Sequence, residues 1–111
     1  MIDDALRRSE NMDERWFMSE MLRIKGELLL LQSEPNAAAA ENHFRQALEW
    51  AHRQEVLSWE LRSAISLARL WHEQGQTSQA RQLLAPIFGR FTEGFGTADL
   101  KTAKALLDSL Q

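Results

Sequence analysis

At 111 residues, with 44% hydrophobic and 26% charged residues, the chain is sized for one folded domain. Its net charge is −3, and its 13 Lys and Arg are scattered among 16 acids, so the basic stripe that phosphate backbones reward is missing and nucleic acid is not an expected partner. With no cysteine it can form no disulfide, thiolate nucleophile or Cys-based zinc site.

In chain order, residues 2–11 predict a short helix, a remnant spanning 1–13 with its linker. From Glu14 a stronger helix begins, with Phe17, Met21, Ile24, Leu28 and Leu31 recurring at +4, +3, +4, +3 as an apolar stripe. Met18, Leu22 and Leu29 widen that stripe, which predicts burial on more than one side. Pro35 suits the first turn of a new helix and ends the first arm near Gln32 or Ser33. The second helix starts in the Ala37–Ala40 run and turns Ala40, Phe44, Ala47, Leu48 and Ala51 inward. After a break near Glu55, Leu57, Leu61, Ala64, Ala68 and Trp71 line a third helix. Gly75 can take the left-handed conformation that closes it, and Thr77 or Ser78 can cap a fourth. The fourth carries Ala80, Leu83, Leu84, Ile87, Phe88 and Phe91, and Pro86 inside it predicts a kink. Glu93-Gly94-Phe95-Gly96 reads as a turn, and Thr97 caps a last helix with Leu100, Ala103, Leu107 and Leu110 inward. No segment alternates with period two, so no sheet is expected.

The longest strongly apolar run, Leu28 to Leu31, is far short of the roughly 20 residues that span a bilayer. The acidic start, Met1-Ile2-Asp3-Asp4, lacks the layout of a signal peptide. A cytoplasmic protein without membrane contact is expected.

The chain repeats itself. Gly26, Ala40, Phe44 and Ala47 are answered by Ala68, Ala80, Leu84 and Ile87, the later three stepping by +4 and +3 in both copies. Two antiparallel helices approach closely only where a side chain is small, so Gly26 with Ala40 and Ala68 with Ala80 mark the crossings of two helical hairpins. Such repeated units stack into helical arrays.

The pattern resembles the tetratricopeptide repeat (TPR), which places Gly or Ala in its first helix, an aromatic three residues on, and Ala, Phe, Ala in its second. Leu29 and Trp71 stand at the aromatic place. The first unit spaces Gly26 from Ala40 by fourteen residues, the second spaces Ala68 from Ala80 by twelve. The resemblance implies an all-α, TPR-like superhelix: hairpins over 14–54 and 56–92 and a capping helix over 97–110, within a domain of 14–111. The segments Arg23–Leu30, Ser58–Ala64, Ala68–Trp71, Leu83–Pro86 and Phe91–Phe95 with Asp99–Lys101 are further similar to the C-terminal helical tail of bacterial adenylate/guanylate cyclase-like regulatory proteins that contain an AAA-like ATPase. That resemblance implies the array and a signalling setting, not the enzyme. The chain has neither a phosphate loop nor a metal-binding Asp pair on strands.

Among candidate sites, His43, His52 and His72 lack the spacing of convergent metal ligands, and neither a metal nor a cofactor is expected. Gly94-Phe95-Gly96 reads as a turn. Trp16, Trp50, Trp59 and Trp71 suit core or inter-repeat packing. Residues at −6, −3, +1 and +4 from Gly26 and Ala68 should line a concave groove: Glu20, Arg23, Glu27 and Leu30, then Arg62, Ile65, Arg69 and His72. Glu20 then faces Arg62 and Glu27 faces Arg69. These charges either grip a peptide or protein partner or bridge the two helices, for roughly 0.2–1 kcal/mol per exposed pair.

Two hairpins are fewer than the three repeats an array usually needs. An association edge of Trp16, Phe17, Met18 and Met21 is therefore expected at the N-terminal end, for a homo-oligomer or a larger protein. With no nucleophile–base or metal constellation, the expected function is a non-enzymatic protein-interaction module in signalling. The alternative is a sensor that binds a metabolite in its groove and signals to an associated ATPase.

Overall fold

The computed structural model describes residues 12–32, 36–92 and 97–110, with side chains of the first helix described from Phe17 onward. The helix expected over 2–11, the turn at 93–96, Pro35 and the Trp16 side chain lie outside the described residues. Five helices follow in order: α1 (Met12–Leu30), α2 (Ala37–Arg53), α3 (Leu57–Glu73), α4 (Thr77–Phe88) and α5 (Ala98–Ser109). There is no strand among the described residues, and no described helix is long and apolar enough to cross a membrane.

The turns follow from local chemistry. Asn36 caps α2 by accepting a bond from the Ala39 amide at 3.1 Å, and His52 and Arg53 complement the dipole at its far end. The exits of α2 and α3 are built alike. Val56 N–H donates to Ala51 and Glu55 N–H to His52; Gln76 N–H donates to Trp71 and Gly75 N–H to His72. Both are Schellman closures, which require one left-handed residue. Gly75 supplies it as expected, with φ 80°. At the matching place stands Glu55, with φ 58°, where glycine would be free of strain.

Two expectations at α4 are corrected. Its N-cap is Gln76, while the Thr77 hydroxyl lies 3.3 Å from His72 Nδ1. Pro86 does not kink a longer helix: α4 ends two residues later at Phe88. Pro86 lacks the N–H that would continue the ladder, and Gly89 N–H closes on Ala85. Phe91 leaves the helix yet still packs on the core. Thr97 holds the N-cap position of α5, but its side chain makes no capping bond.

Packing centres on α3, which touches each of the other four helices. Every residue from Glu60 to Leu70 except Arg62 and Arg69 is buried, which reflects this. One core cluster joins Ala40 and Phe44 to Leu67 and Leu70. The other joins Leu61, Ala64, Ile65 and Ala68 to Ala80, Leu84, Ile87, Leu100, Ala103 and Leu110. Leu48, Leu83 and half-buried Trp71 touch both. Trp71 also donates from Nε1 to Glu41 at 2.8 Å and lies under the Arg45 guanidinium at 5.3 Å, tying α3 to α2.

All eight repeat positions are buried. The crossing of α1 and α2 is the tightest point. A Cβ on Gly26 would lie 2.5 Å from Phe44 Cε1 and 3.1 Å from the Ala40 carbonyl oxygen, so only glycine fits.

That crossing overturns the expected inner face of α1. Phe17, Ile24, Leu28 and Leu31 are 57%, 47%, 57% and 80% exposed, while Met18, Ser19, Glu20 and Leu22 are buried. Gly26 lies two residues beyond Ile24, about 200° around the helix. Close approach at Gly26 therefore turns the apolar stripe away from α2. Of the expected association edge, Phe17 is exposed, Met21 is half-buried and Met18 belongs to the core.

Gly26→Ala should gain about 1 kcal/mol of helix propensity but lose about 1–3 kcal/mol to overpacking, for a net loss in urea denaturation. Phe44→Leu should soften that loss; a net gain from Gly26→Ala would contradict the crossing. Glu55→Gly should stabilise by about 1 kcal/mol by relieving the left-handed residue. Thermal and urea melts check the sign.

Candidate functional site: the seam between α1 and α3

Helices α1 and α3 lie side by side, and six of the eight groove candidates separate into two halves with different fates. At one end the charges satisfy each other. Glu20 is buried and accepts from Arg23 Nε at 2.7 Å and from Arg62 Nη1 at 2.5 Å. Arg62 reaches on to Asp99 of α5 through Nε at 3.3 Å and Nη2 at 3.0 Å, and Arg23 Nη1 reaches Ser66 Oγ of α3 at 3.5 Å. The expected Glu20–Arg62 pair is therefore present, as part of a clamp that joins α1, α3 and α5. Burial opposes the Glu20 charge, but hydrogen bonds and attraction from Arg23 and Arg62 outweigh it and hold the carboxyl below its ordinary value. Reciprocally, Glu20, against the opposing effect of burial and with help from Asp99, raises the Arg62 pKa.

At the other end the seam opens into a cleft of about 210 Å³ lined by Glu27, Leu30, Leu31, Ser66, Arg69, Leu70 and Glu73. Glu27 and Arg69 share this cleft, but no ion pair joins them within 4 Å. The walls present leucines flanked by one guanidinium and two carboxylates. Such a surface can take an apolar side chain and steer the charge beside it.

Two candidates are corrected. Ile65 is buried in the larger core cluster, because α5 covers its side of α3 with Leu100 and Ala103, whereas the corresponding Arg23 of α1 is bonded to Glu20 and Ser66. His72 turns to Thr77 and does not line the cleft. Leu31, Ser66, Leu70 and Glu73 are cleft residues that repeat register did not single out. Asp99 was missed because it reaches the seam from α5, at a distance that spacing within one hairpin cannot show.

Another buried carboxylate, Glu60, lies 3.4 Å from His52 Nδ1 and 3.3 Å from Arg90 Nη1, tying α3 to the ends of α2 and α4. His43 Nδ1 sits 3.0 Å from the Ala39 carbonyl oxygen. Among the described residues no three His, Cys, Asp or Glu side chains converge as metal ligands would. Comparison with protein-family models, curated proteins and solved structures finds no significant match.

The clamp makes stability depend on acid in a defined direction. A carboxyl whose folded pKa is depressed contributes fully above its unfolded value, and that contribution fades as pH falls through the folded value. Urea midpoints between pH 6 and pH 2.5 should therefore fall less steeply in Glu20→Gln than in the parent protein. At pH 6 the substitution should cost about 1–3 kcal/mol, since it weakens charge-assisted bonds to two guanidiniums. Equal acid sensitivity in both proteins would refute the clamp.

Proposed function

We propose that this chain is a TPR-like, non-enzymatic module that holds a protein or peptide partner in the open half of the α1–α3 seam. The observation that carries the reading is the contrast within one seam. Charges near Glu20 are consumed in binding α1, α3 and α5 together, whereas Arg69, Glu27 and Glu73 share a cleft with Leu30, Leu31 and Leu70 without pairing Glu27 to Arg69. The nested crossing of Gly26 with Ala40 and Phe44, and the matching buried set at Ala68, Ala80 and Leu84, support the TPR-like part of the proposal. A regulatory or signalling setting, akin to the tails of cyclase-like and ATPase-containing proteins, belongs to the same proposal and rests on the sequence resemblance.

The size of the cleft favours a side chain of an extended partner over a metabolite. Small-molecule sites usually enclose about 300–1,000 Å³, and this cleft is smaller and open. A leucine-like anchor between Leu30, Leu31 and Leu70 would be desolvated, with an acidic partner residue beside Arg69 and a basic one beside Glu27 or Glu73.

Selection from a displayed random-peptide library should enrich an apolar anchor flanked by an Asp or Glu for Arg69 and a Lys or Arg for Glu27 or Glu73. Arg69→Glu should lower affinity for the selected peptide by about tenfold or more, equivalent to about 1.4 kcal/mol, with an unchanged melting temperature. Arg62→Glu should instead lower the melting temperature, because Arg62 belongs to the clamp. Unchanged peptide affinity in Arg69→Glu would overturn the assignment of the cleft.

A further inference from the structure

The apolar stripe on α1 is a separate surface from the partner cleft, although Leu31 borders both. Its residues keep a heptad-like alternation, Phe17, Met21, Ile24, Leu28 and Leu31, the spacing with which two helices seat against each other. Repeat register shows what kind of object belongs on this face. Shifted by the same step that takes Gly26 to Ala68, Met21, Ile24 and Leu28 correspond to Ser63, Ser66 and Leu70 of α3, all buried. Leu70 packs with Ala40 and Phe44 of α2, and Ser66 receives Arg23 of α1. In the second hairpin this face is thus covered by a helical neighbour. In the first, among the described residues, it is bare.

We infer that a second copy of this chain covers the stripe, α1 against α1, in a closed two-fold dimer. Among the described residues the exposed large hydrophobics are Phe17, Ile24 and Leu28 on α1 and Leu31 just past its end. At the other end of the chain, α5 shows solvent Lys101, Thr102, Lys104 and Asp108, while Leu110 is fully buried and Arg81 binds its carbonyl at 2.7 Å. A head-to-tail contact would need a complementary apolar patch elsewhere, and α5 does not offer one. A stripe that meets its own copy closes on itself, so assembly stops at two.

The area fits. At their observed exposures the four side chains present on the order of 400 Å² of apolar surface, by the usual sizes of such side chains. A standard interface buries about 800 Å² per partner, about two thirds of it apolar in homodimers. The stripe supplies most of that apolar share. Ile24 lies midway between Phe17 and Leu31, so it meets its own counterpart whether the two helices run parallel or antiparallel.

Sedimentation velocity of the full chain over about 1–200 µM, the range of a micromolar equilibrium, should show the mass rising from 12.8 kDa towards twice that value and no further. Ile24→Glu combined with Leu28→Glu should remain a single chain throughout, with an unchanged circular-dichroism spectrum. Because the chain has no cysteine, Ile24→Cys provides one thiol, which should form a disulfide-linked dimer faster than Lys101→Cys on α5. That readout decides the matter if the double Glu variant does not fold. A wild-type mass fixed at one chain, as when residues 1–11 cover the stripe, would overturn the inference. So would assembly beyond two chains, a dimer that survives the double Glu substitution in folded protein, or no cross-linking advantage for Ile24→Cys.

Discussion

The structure depends on how closely α1 can approach α2, and Gly26 sets that distance. With no side chain at Gly26, the Phe44 ring and the Ala40 carbonyl occupy space that any Cβ would claim. Tight packing of this kind is orientation-specific, since it leaves one rotation of α1 about its axis and excludes the others. The consequence reaches beyond the crossing. Once Gly26 faces α2, Glu20 and Arg23 must face α3, and Phe17, Ile24, Leu28 and Leu31 must face away. Shape complementarity at one small residue thus outweighs the area of an apolar stripe in deciding which side of a helix is buried.

Turning charged residues toward α3 would be costly without compensation, because a carboxylate taken from water must recover its hydrogen bonds. Glu20 recovers them from two guanidiniums, and Arg62 carries the network to Asp99. The same rotation brings Glu27 and Arg69 to the rim of a cleft without joining them. One seam therefore performs two tasks along its length. Its closed half joins α1, α3 and α5, and its open half is the surface to which the proposed function assigns a partner. Under the proposed function, rigidity in the first half would preorganise the second and lower the ordering cost of holding a partner.

Much of the helical architecture was legible because its causes are local or strictly periodic. The apolar spacing of α3, the small residues at Ala40, Ala68 and Ala80, and the left-handed Gly75 all lie where sequence reasoning places them. What escaped has causes that periodicity does not encode. The stripe on α1 has the helical period, but period alone does not tell which side a neighbour will occupy. Ile65 holds the position of Arg23 within the repeat, yet its fate is set by α5, outside both hairpins. Asp99 entered the site from that same helix. Glu55 hides a left-handed turn because glycine is the usual signal and is absent there. Pro86 announced a disturbance correctly, but whether a helix bends or stops depends on the bonds available beyond it. Of the groove, the Glu20–Arg62 pair and the cleft position of Glu27, Leu30 and Arg69 were readable from register; the division between locked and open halves was not.

The most direct test of this account is the set of nuclear Overhauser contacts made by the Phe44 ring, recorded at low protein concentration so that contacts between chains do not intrude. Ring protons of Phe44 should show strong cross-peaks to the Gly26 α-protons, which should also be displaced by the ring current, and none to Ile24 or Leu28. Cross-peaks from Phe44 to Ile24 or Leu28, with Gly26 unshifted, would mean that α1 presents its apolar stripe to α2, and the assignments of clamp, cleft and dimer face would all be contradicted.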